Sequence, residues 1–221
     1  MKEYPKTELN TVKRGTNRAI YDVVQINNIL DAGFIGFVSY SFQGKAICLP
    51  MAYGRIDDKI YLHGSRKNRM FAALLEAKEI SMTIMHLDAL VLARSGLHHS
   101  VNYRSATLFG KVKLIENALE KTKILESVID QMIPGRWNSL RTIKDQEITR
   151  TMVIEFSIET ASAKIRDVGV KDENSDLDLP IWAGIVPIKQ TVEFPISDGL
   201  LDDHVEIPQH VLDYYERNKA R

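Results

Sequence analysis

A chain of 221 residues with 44% hydrophobic and 26% charged residues can bury one substantial core and has the composition of an ordinary globular protein, not of a disordered polymer. Its 29 basic residues balance 29 acidic ones, so no net field favours nucleic acid or an anionic membrane surface. The single cysteine, Cys48, excludes an intrachain disulfide and a Cys-rich zinc site and fits a reducing compartment.

The start, MKEYPKTELNTVKRG, lacks the apolar core of a secretory signal, and no apolar run approaches the length of a membrane span. A cytoplasmic protein with neither nucleic-acid nor membrane partners is therefore expected. Residues 1–18 read as an irregular basic arm. Apolar positions from Ile20 to Leu30 follow helical spacing, and Gly33 supplies a stop. FIGFVSY (34–40), AICLPMAY (46–53) and KIYLHG (59–64) are short β-branched or aromatic runs separated by the turn-formers FQGK and RIDDK. A short helix over 69–78 precedes two strands at 80–86 and 89–94. Another strand, 105–115, carries Gly110 as a bulge or close-approach point. The longest amphipathic helix spans 116–133 and ends at Pro134-Gly135. Strands over 151–158 and 161–168, an acidic loop over 171–183, a last strand over 191–196 and a C-terminal extension over 198–221 with a helix from Pro208 complete the chain. Strands in succession with few helices between them do not build a parallel sheet. They predict a mainly β, antiparallel barrel with flanking helices, in one domain spanning 1–221.

SGLHHSVNYRS (95–105) poses the first chemical question. On a strand His98 and His99 point to opposite faces, and on a helix they diverge by about 100°, so they do not converge on one ion. No HExxH-like ligand pattern exists, and no metal is expected. LHGSRKNRM (62–70) joins a strand to a helix: small residues allow close backbone approach, and a helix start offers amides and a positive dipole end. It is either a phosphate cradle or a solvated basic turn, and the Walker spacing is absent. NYRS (102–105) adds an arginine and two hydroxyls that suit a phosphate. Cys48, beside Pro50, reads as a packed small hydrophobe, and Trp137 and Trp182 as loop staples.

Together RAIYDVVQINNILDAG, LHGSRKNRM, LDALVLARSGLHHSVNYRSATLFGKV, IPGRW, SAKIRD and IWAGIVP resemble the FMN-binding split-barrel proteins. This is the superfamily of pyridoxamine 5′-phosphate oxidase, and the similar branch includes the nitroimidazole-resistance proteins. The resemblance implies an antiparallel split β-barrel and a homodimer with FMN in a cleft between the copies. It also implies that His63, Gly64, Ser65, Asn68 and Arg69 hold the phosphate. Cys48, Leu49, Pro50 and Met51 would pass along the isoalloxazine ring. Ser95, Tyr103, Arg104 and Ser105 would complete the cleft. The chain departs from the oxidases proper by ending EIPQHVLDYYERNKAR in place of an Arg-Leu-Ala-Pro-like motif, so the vitamin B6 reaction is not expected. The function implied is an FMN-dependent oxidoreductase acting on a small oxidant such as a nitro compound or quinone. A non-catalytic flavin-storage or redox-sensing protein is the alternative, as is the same fold holding haem or a deazaflavin.

Overall fold

The computed structural model describes residues 2–220 apart from Lys78 and Asp203. The N-terminal arm is docked, not trailing. Tyr4 N–H donates to Tyr21 O (2.9 Å), and the buried Asn10 donates through Nδ2 to Pro5 O (2.8 Å) and Ala161 O (3.0 Å). A short strand β1 (Ala19–Ile20) then leads into α1 (Val23–Asp31). The helix begins later than its apolar spacing suggests because the Asp22 carboxylate caps it, accepting from Gln25 N–H at 2.9 Å.

Strands β2 (Ile35–Phe42) and β3 (Lys45–Ala52) form a hairpin whose turn residues, Gln43 and Gly44, have φ of 51° and 73°, the double left-handed geometry that matches strand twist. β4 (Gly54–Ile56) and β5 (Lys59–Ser65) form a second hairpin. α2 (Arg69–Glu76) follows, ending before Lys78, where the expected helix end lies outside the described residues. The two strands expected at 80–94 are one, β6 (Ile80–Leu92), with its register shifted between Leu87 and Ala89. Asp88 resembles a turn residue between apolar runs but is an outward bulge residue paired with Arg104.

β7 (Ser100–Ile115) starts earlier than expected, and α3 (Ala118–Met132) matches its amphipathic pattern. A short helix α4 (Asp145–Arg150) is additional to the expected elements. It enters one long strand β8 (Thr151–Arg166), where two strands are expected from the sequence. The polar pair Glu159-Thr160 resembles a turn but sits at a bulge opposite Gly110, where the β7–β8 register shifts. A Cβ on Gly110 would lie 2.0 Å from Ser157 O, so this crossing requires glycine. β9 (Gly184–Pro187) pairs with β6, whereas the strand expected over 191–196 is not formed. The last helix is α5 (Gln209–Asn218).

Every pairing is antiparallel, in the order β3-β2-β6-β7-β8-β5-β4, and the sheet curls so that its edge strand β3 comes beside β5 without pairing with it. The interior is filled by Ile26, Leu30, Phe71, Leu74, Met82, Ile84, Leu108 and Phe156, all 0% exposed. A second cluster, Tyr61, Ile115, Ile124, Val128 and Val153, lies beneath α3, and Trp137 packs against it. No helix among the described residues is long and apolar enough to cross a membrane.

Candidate functional site

The turn between β5 and α2 has the features of an anion cradle. Gly64 pairs with Met152, and Ser65 with Thr151, at the start of β8. A Cβ on Gly64 would come within 3.3 Å of both Asn68 Nδ2 and the Phe71 ring, so the turn wraps closely on its own helix. Asn68 caps α2, its Oδ1 accepting from Met70 N–H at 2.9 Å, and Lys67 N–H donates to Ser65 Oγ at 3.2 Å. Arg66 is tied down through Nη1 to Thr149 O (3.2 Å), leaving Lys67 and Arg69 as the cations on this rim. Arg69 is exposed, its guanidinium carbon 4.4 Å from the centroid of the Phe42 ring on β2. His63 Nδ1 is buried without a hydrogen-bond partner, and burial holds the imidazole below its ordinary pKa. A neutral ring can therefore offer a hydrogen bond here without adding charge. A close-wrapped glycine turn, a capped helix start and an arginine adjoin here and fit a phosphate, while His63 lies on the opposite strand face with Tyr61 and Val153.

β3 lies beside this rim as the exposed edge of the sheet. Cys48, Leu49, Pro50 and Met51 pair with Ser39, Val38, Phe37 and Gly36. Cys48 is exposed, which corrects its reading as a packed hydrophobe: an edge strand with no second layer over it buries little on either side.

Ser95, Tyr103, Arg104 and Ser105 form a separate group. Tyr103, Arg104 and Ser105 pair with Leu87, His86 and Met85 on β6 and with Arg166, Ile165 and Lys164 on β8. The cradle end of the sheet is reached only where Ile115 of β7 meets Val153, which meets His63. That is some 30 Å farther along β7 at about 3.3 Å per residue. One chain therefore brings the cradle together with β3 but not with the NYRS group. Arg104 is committed locally, donating to Asp88 through Nε (3.0 Å) and Nη2 (2.8 Å).

The two histidines take different partners, in and after a tight turn (Gly96–His98). His98 Nε2 lies 3.3 Å from Glu173 Oε1, whereas His99 Nδ1 is 2.9 Å from Ser95 O. A donor Nδ1 on that carbonyl leaves His99 Nε2 as the free acceptor on an exposed ring. The acidic loop is latched beside them: Asp172 accepts from Arg94 N–H (2.9 Å) and Arg94 Nη1 (2.8 Å). Sequence reasoning does not single out Asp172, Asn102 or Arg166. Spacing announces neither a loop-to-strand clamp nor a buried arginine. Among the described residues no group of three His, Cys, Asp or Glu side chains is arranged to hold a metal ion.

The comparisons with known proteins agree with this geometry. The family model described as pyridoxamine 5′-phosphate oxidase matches residues 22–165. Flavocytochrome Anf3 from Azotobacter vinelandii is 35% identical, with 94% of this chain and 96% of that one aligned at a TM-score of 0.89. An FAD and heme binding protein from Mycobacterium smegmatis is 27% identical, over 89% of this chain and 96% of that one, with a TM-score of 0.84. A candidate 5-nitroimidazole antibiotic resistance protein from Bacteroides thetaiotaomicron, 22% identical over 66% and 86% of the two chains with a TM-score of 0.58, shares the fold. No curated protein matches the chain in sequence. With the family model spanning most of the barrel and a full-length relative at this identity, the chain belongs to the pyridoxamine 5′-phosphate oxidase family, in its split-barrel branch related to the oxidase.

Proposed function

We propose that this protein binds a flavin by its riboflavin 5′-phosphate at the β5–α2 turn and works as an electron-transfer flavoprotein. The reading rests on one observation above all: the close-wrapped Gly64 turn, the Asn68-capped start of α2 and Arg69 adjoin one another. FMN and FAD share the riboflavin phosphate that this rim addresses, so either fits. The relatives named as a flavocytochrome and an FAD and heme binding protein favour FAD as much as FMN. Bound flavin would supply hydride and single-electron chemistry toward a small oxidant. The chain's part is to neutralise the phosphate with Arg69 and Lys67, to orient it with the amides at the start of α2, and to line the ring along Cys48–Met51. The NYRS group lies too far from this rim to serve it within one chain, so the cleft is completed in a homodimer by a second copy.

The direct test compares FMN and riboflavin binding to Arg69→Ala. FMN affinity should fall by about 1.5–3 kcal/mol, the range for hydrogen bonds to a charged group, while riboflavin, which lacks the phosphate, should change far less. Equal losses would assign Arg69 to the fold or the ring and end the cradle reading. Turnover with a nitro-compound and quinone panel then separates an oxidoreductase from a flavin store.

A second reading adds haem. It is favoured by His99, whose Nδ1 is held by Ser95 O so that Nε2 faces outward, the arrangement that orients a ligating imidazole. A Soret band in the purified protein, lost in His99→Ala with flavin retained, supports it; a flavin spectrum alone after haem supplementation rejects it.

A further inference from the structure

The far end of β8 carries a buried cation with no counter-charge among the described residues. Arg166 is 6% exposed and pairs in register with Tyr103. Its guanidinium donates through Nη1 to Asn102 Oδ1 (2.5 Å) and weakly to Val101 O (3.5 Å), both neutral acceptors, and its Nε is buried without a partner. Asn102 is itself buried and fixed, donating to Val168 O (3.1 Å) and accepting from Val168 N–H (3.3 Å). The guanidinium is thus aimed by a rigid clamp. Arg166 makes no ion pair with any carboxylate among the described residues, and the charged group felt most strongly nearby is another cation, Arg18, on the turn before β1.

Such an arrangement is unfavourable by itself. A guanidinium stays protonated at any physiological pH, and leaving one buried without an opposite charge costs several kcal/mol. Burial and then the Arg18 charge both act to lower the pKa of Arg166, the direction expected of an uncompensated cation. Four other arginines are ion-paired, Arg55 with Asp31, Arg94 with Asp172, Arg104 with Asp88 and Arg141 with Glu147, while ones unpaired among the described residues, such as Arg66 and Arg69, are exposed. Arg166 is the buried exception.

We infer that Arg166, Arg18 and Tyr103 form a second anion-binding site that takes the carboxylate or phosphate of an organic ligand. Arg18 precedes Ala19, which pairs with Lys164 two residues before Arg166, so it brings a second cation to this end of β8; the Tyr103 hydroxyl can donate to an anion there, and Asn102 sets the fork of the arginine. The site is separate from the phosphate cradle, because Thr151 of β8 pairs with Ser65 while Arg166 ends the same strand. At about 3.3 Å per residue the path between them along the bent strand approaches 50 Å. The ligand chemistry is shared by two sources, a haem propionate and the second phosphate of a dinucleotide.

Calorimetric titration of the full chain with inorganic pyrophosphate and with succinate tests the site without depending on flavin binding. Arg166→Gln should weaken the anion that binds by roughly 10- to 100-fold, and Arg166→Lys by less. Arg18→Gln, in the short turn before β1, should weaken it several-fold, and the loss in Arg166→Gln should persist in an Arg69→Ala background, where the cradle no longer competes for the anion. Failure of wild type to bind either anion, or wild-type affinity in a folded Arg166→Gln, overturns the inference. The source is then read from paired ligands. A loss for haem but not for its dimethyl ester identifies a propionate, and a loss for FAD but not for FMN identifies the dinucleotide. If FMN falls equally in Arg166→Gln and Arg69→Ala, both arginines serve one phosphate and the second site does not exist.

Discussion

Along β2, neighbouring side chains meet opposite surroundings. Val38 and Tyr40 are 0% and 7% exposed inside the barrel, while Ile35 and Phe37, on the other face of the same strand, are each 43% exposed. The outward group continues across β6 in Met85 and Leu87, which share the Phe37 face through the Phe37–Thr83 pair. The half of the barrel built from β5, β7 and β8 is closed by contrast, with α2 over one end and the Ile124 and Val128 face of α3 over the β5–β7–β8 wall. One half is complete in a single chain, and the other presents apolar surface of the kind that marks an interface. Where the fold is complete a substitution should act on stability; where it is open, on association and ligand binding.

The largest stability effect should come from the closed half. Phe71 is 0% exposed beneath the cradle and touches the Gly64 turn. Phe71→Ala should cost about 3–5 kcal/mol in a urea melt, the lost transfer energy plus the cavity left behind. A cost below about 1 kcal/mol would mean that α2 is not anchored by this ring, and the closed half would lose its distinction. Gly110→Ala should follow at about 3 kcal/mol, at the upper end of ordinary overpacking, because the added carbon meets a backbone oxygen that can move only with β8. Near-wild-type stability would show that the bulge can relax.

How far these features are legible in the sequence follows from what each is made of. Gly110 is readable because a lone glycine inside an apolar strand pattern marks a bulge or a close backbone approach. The hairpin turn at Gln43-Gly44 and the long helix α3 are readable for similar local reasons. The joins within β6 and β8 are not: Asp88 and Glu159 are charged residues at bulges, and sequence alone does not separate a bulge from a turn. The cradle residues are visible as small and basic residues at a strand–helix join. Their convergence with β3, and the separation of Ser95, Tyr103, Arg104 and Ser105 from them, depend on barrel closure and register. Asp88 claims Arg104 only because the β6–β7 register sets them side by side. Arg166 reads as an ordinary polar residue at a strand end, and its burial is a property of the assembled sheet.

Glu155 sharpens the comparison from the polar side of the closed half. It is 3% exposed on β8, within 3.1 Å of Lys59 Nζ, 3.3 Å of Lys113 Nζ and 3.1 Å of Tyr61 Oη. Burial works to raise its pKa, but hydrogen bonds from Lys59, Tyr61 and Lys113 together outweigh burial and hold the carboxyl below its ordinary range. A carboxyl depressed in the fold contributes stability above its unfolded pKa and loses it as pH falls through the folded value. Glu155→Gln should therefore cost about 1–2 kcal/mol near neutrality, kept modest because water screens the two lysines. The gap between wild type and variant should hold steady down to about pH 5 and close below about 4. A gap that persists at about pH 2 would show that the carboxylate charge contributes nothing.

The smallest stability effect belongs to the open half, and there the readout changes. Phe37→Ser removes an exposed ring from β2 without touching the interior, so the melt of a dilute sample should move by less than about 0.5 kcal/mol. Its strand neighbour Val38 shows the cost of the inner face: a polar side chain there would be buried without a partner. If a second copy covers Ile35, Phe37, Met85 and Leu87, that interface should bury more than about 2,000 Å², the range of permanent dimers. A serine at its centre should then shift sedimentation toward monomer and weaken flavin binding in parallel, as expected if the cradle of one copy is completed by the NYRS group of the other. A wild-type chain that sediments as a monomer at micromolar concentration with flavin bound would break the comparison at its root. The cleft would then be complete in one copy, and the apolar face of β2 would need another occupant.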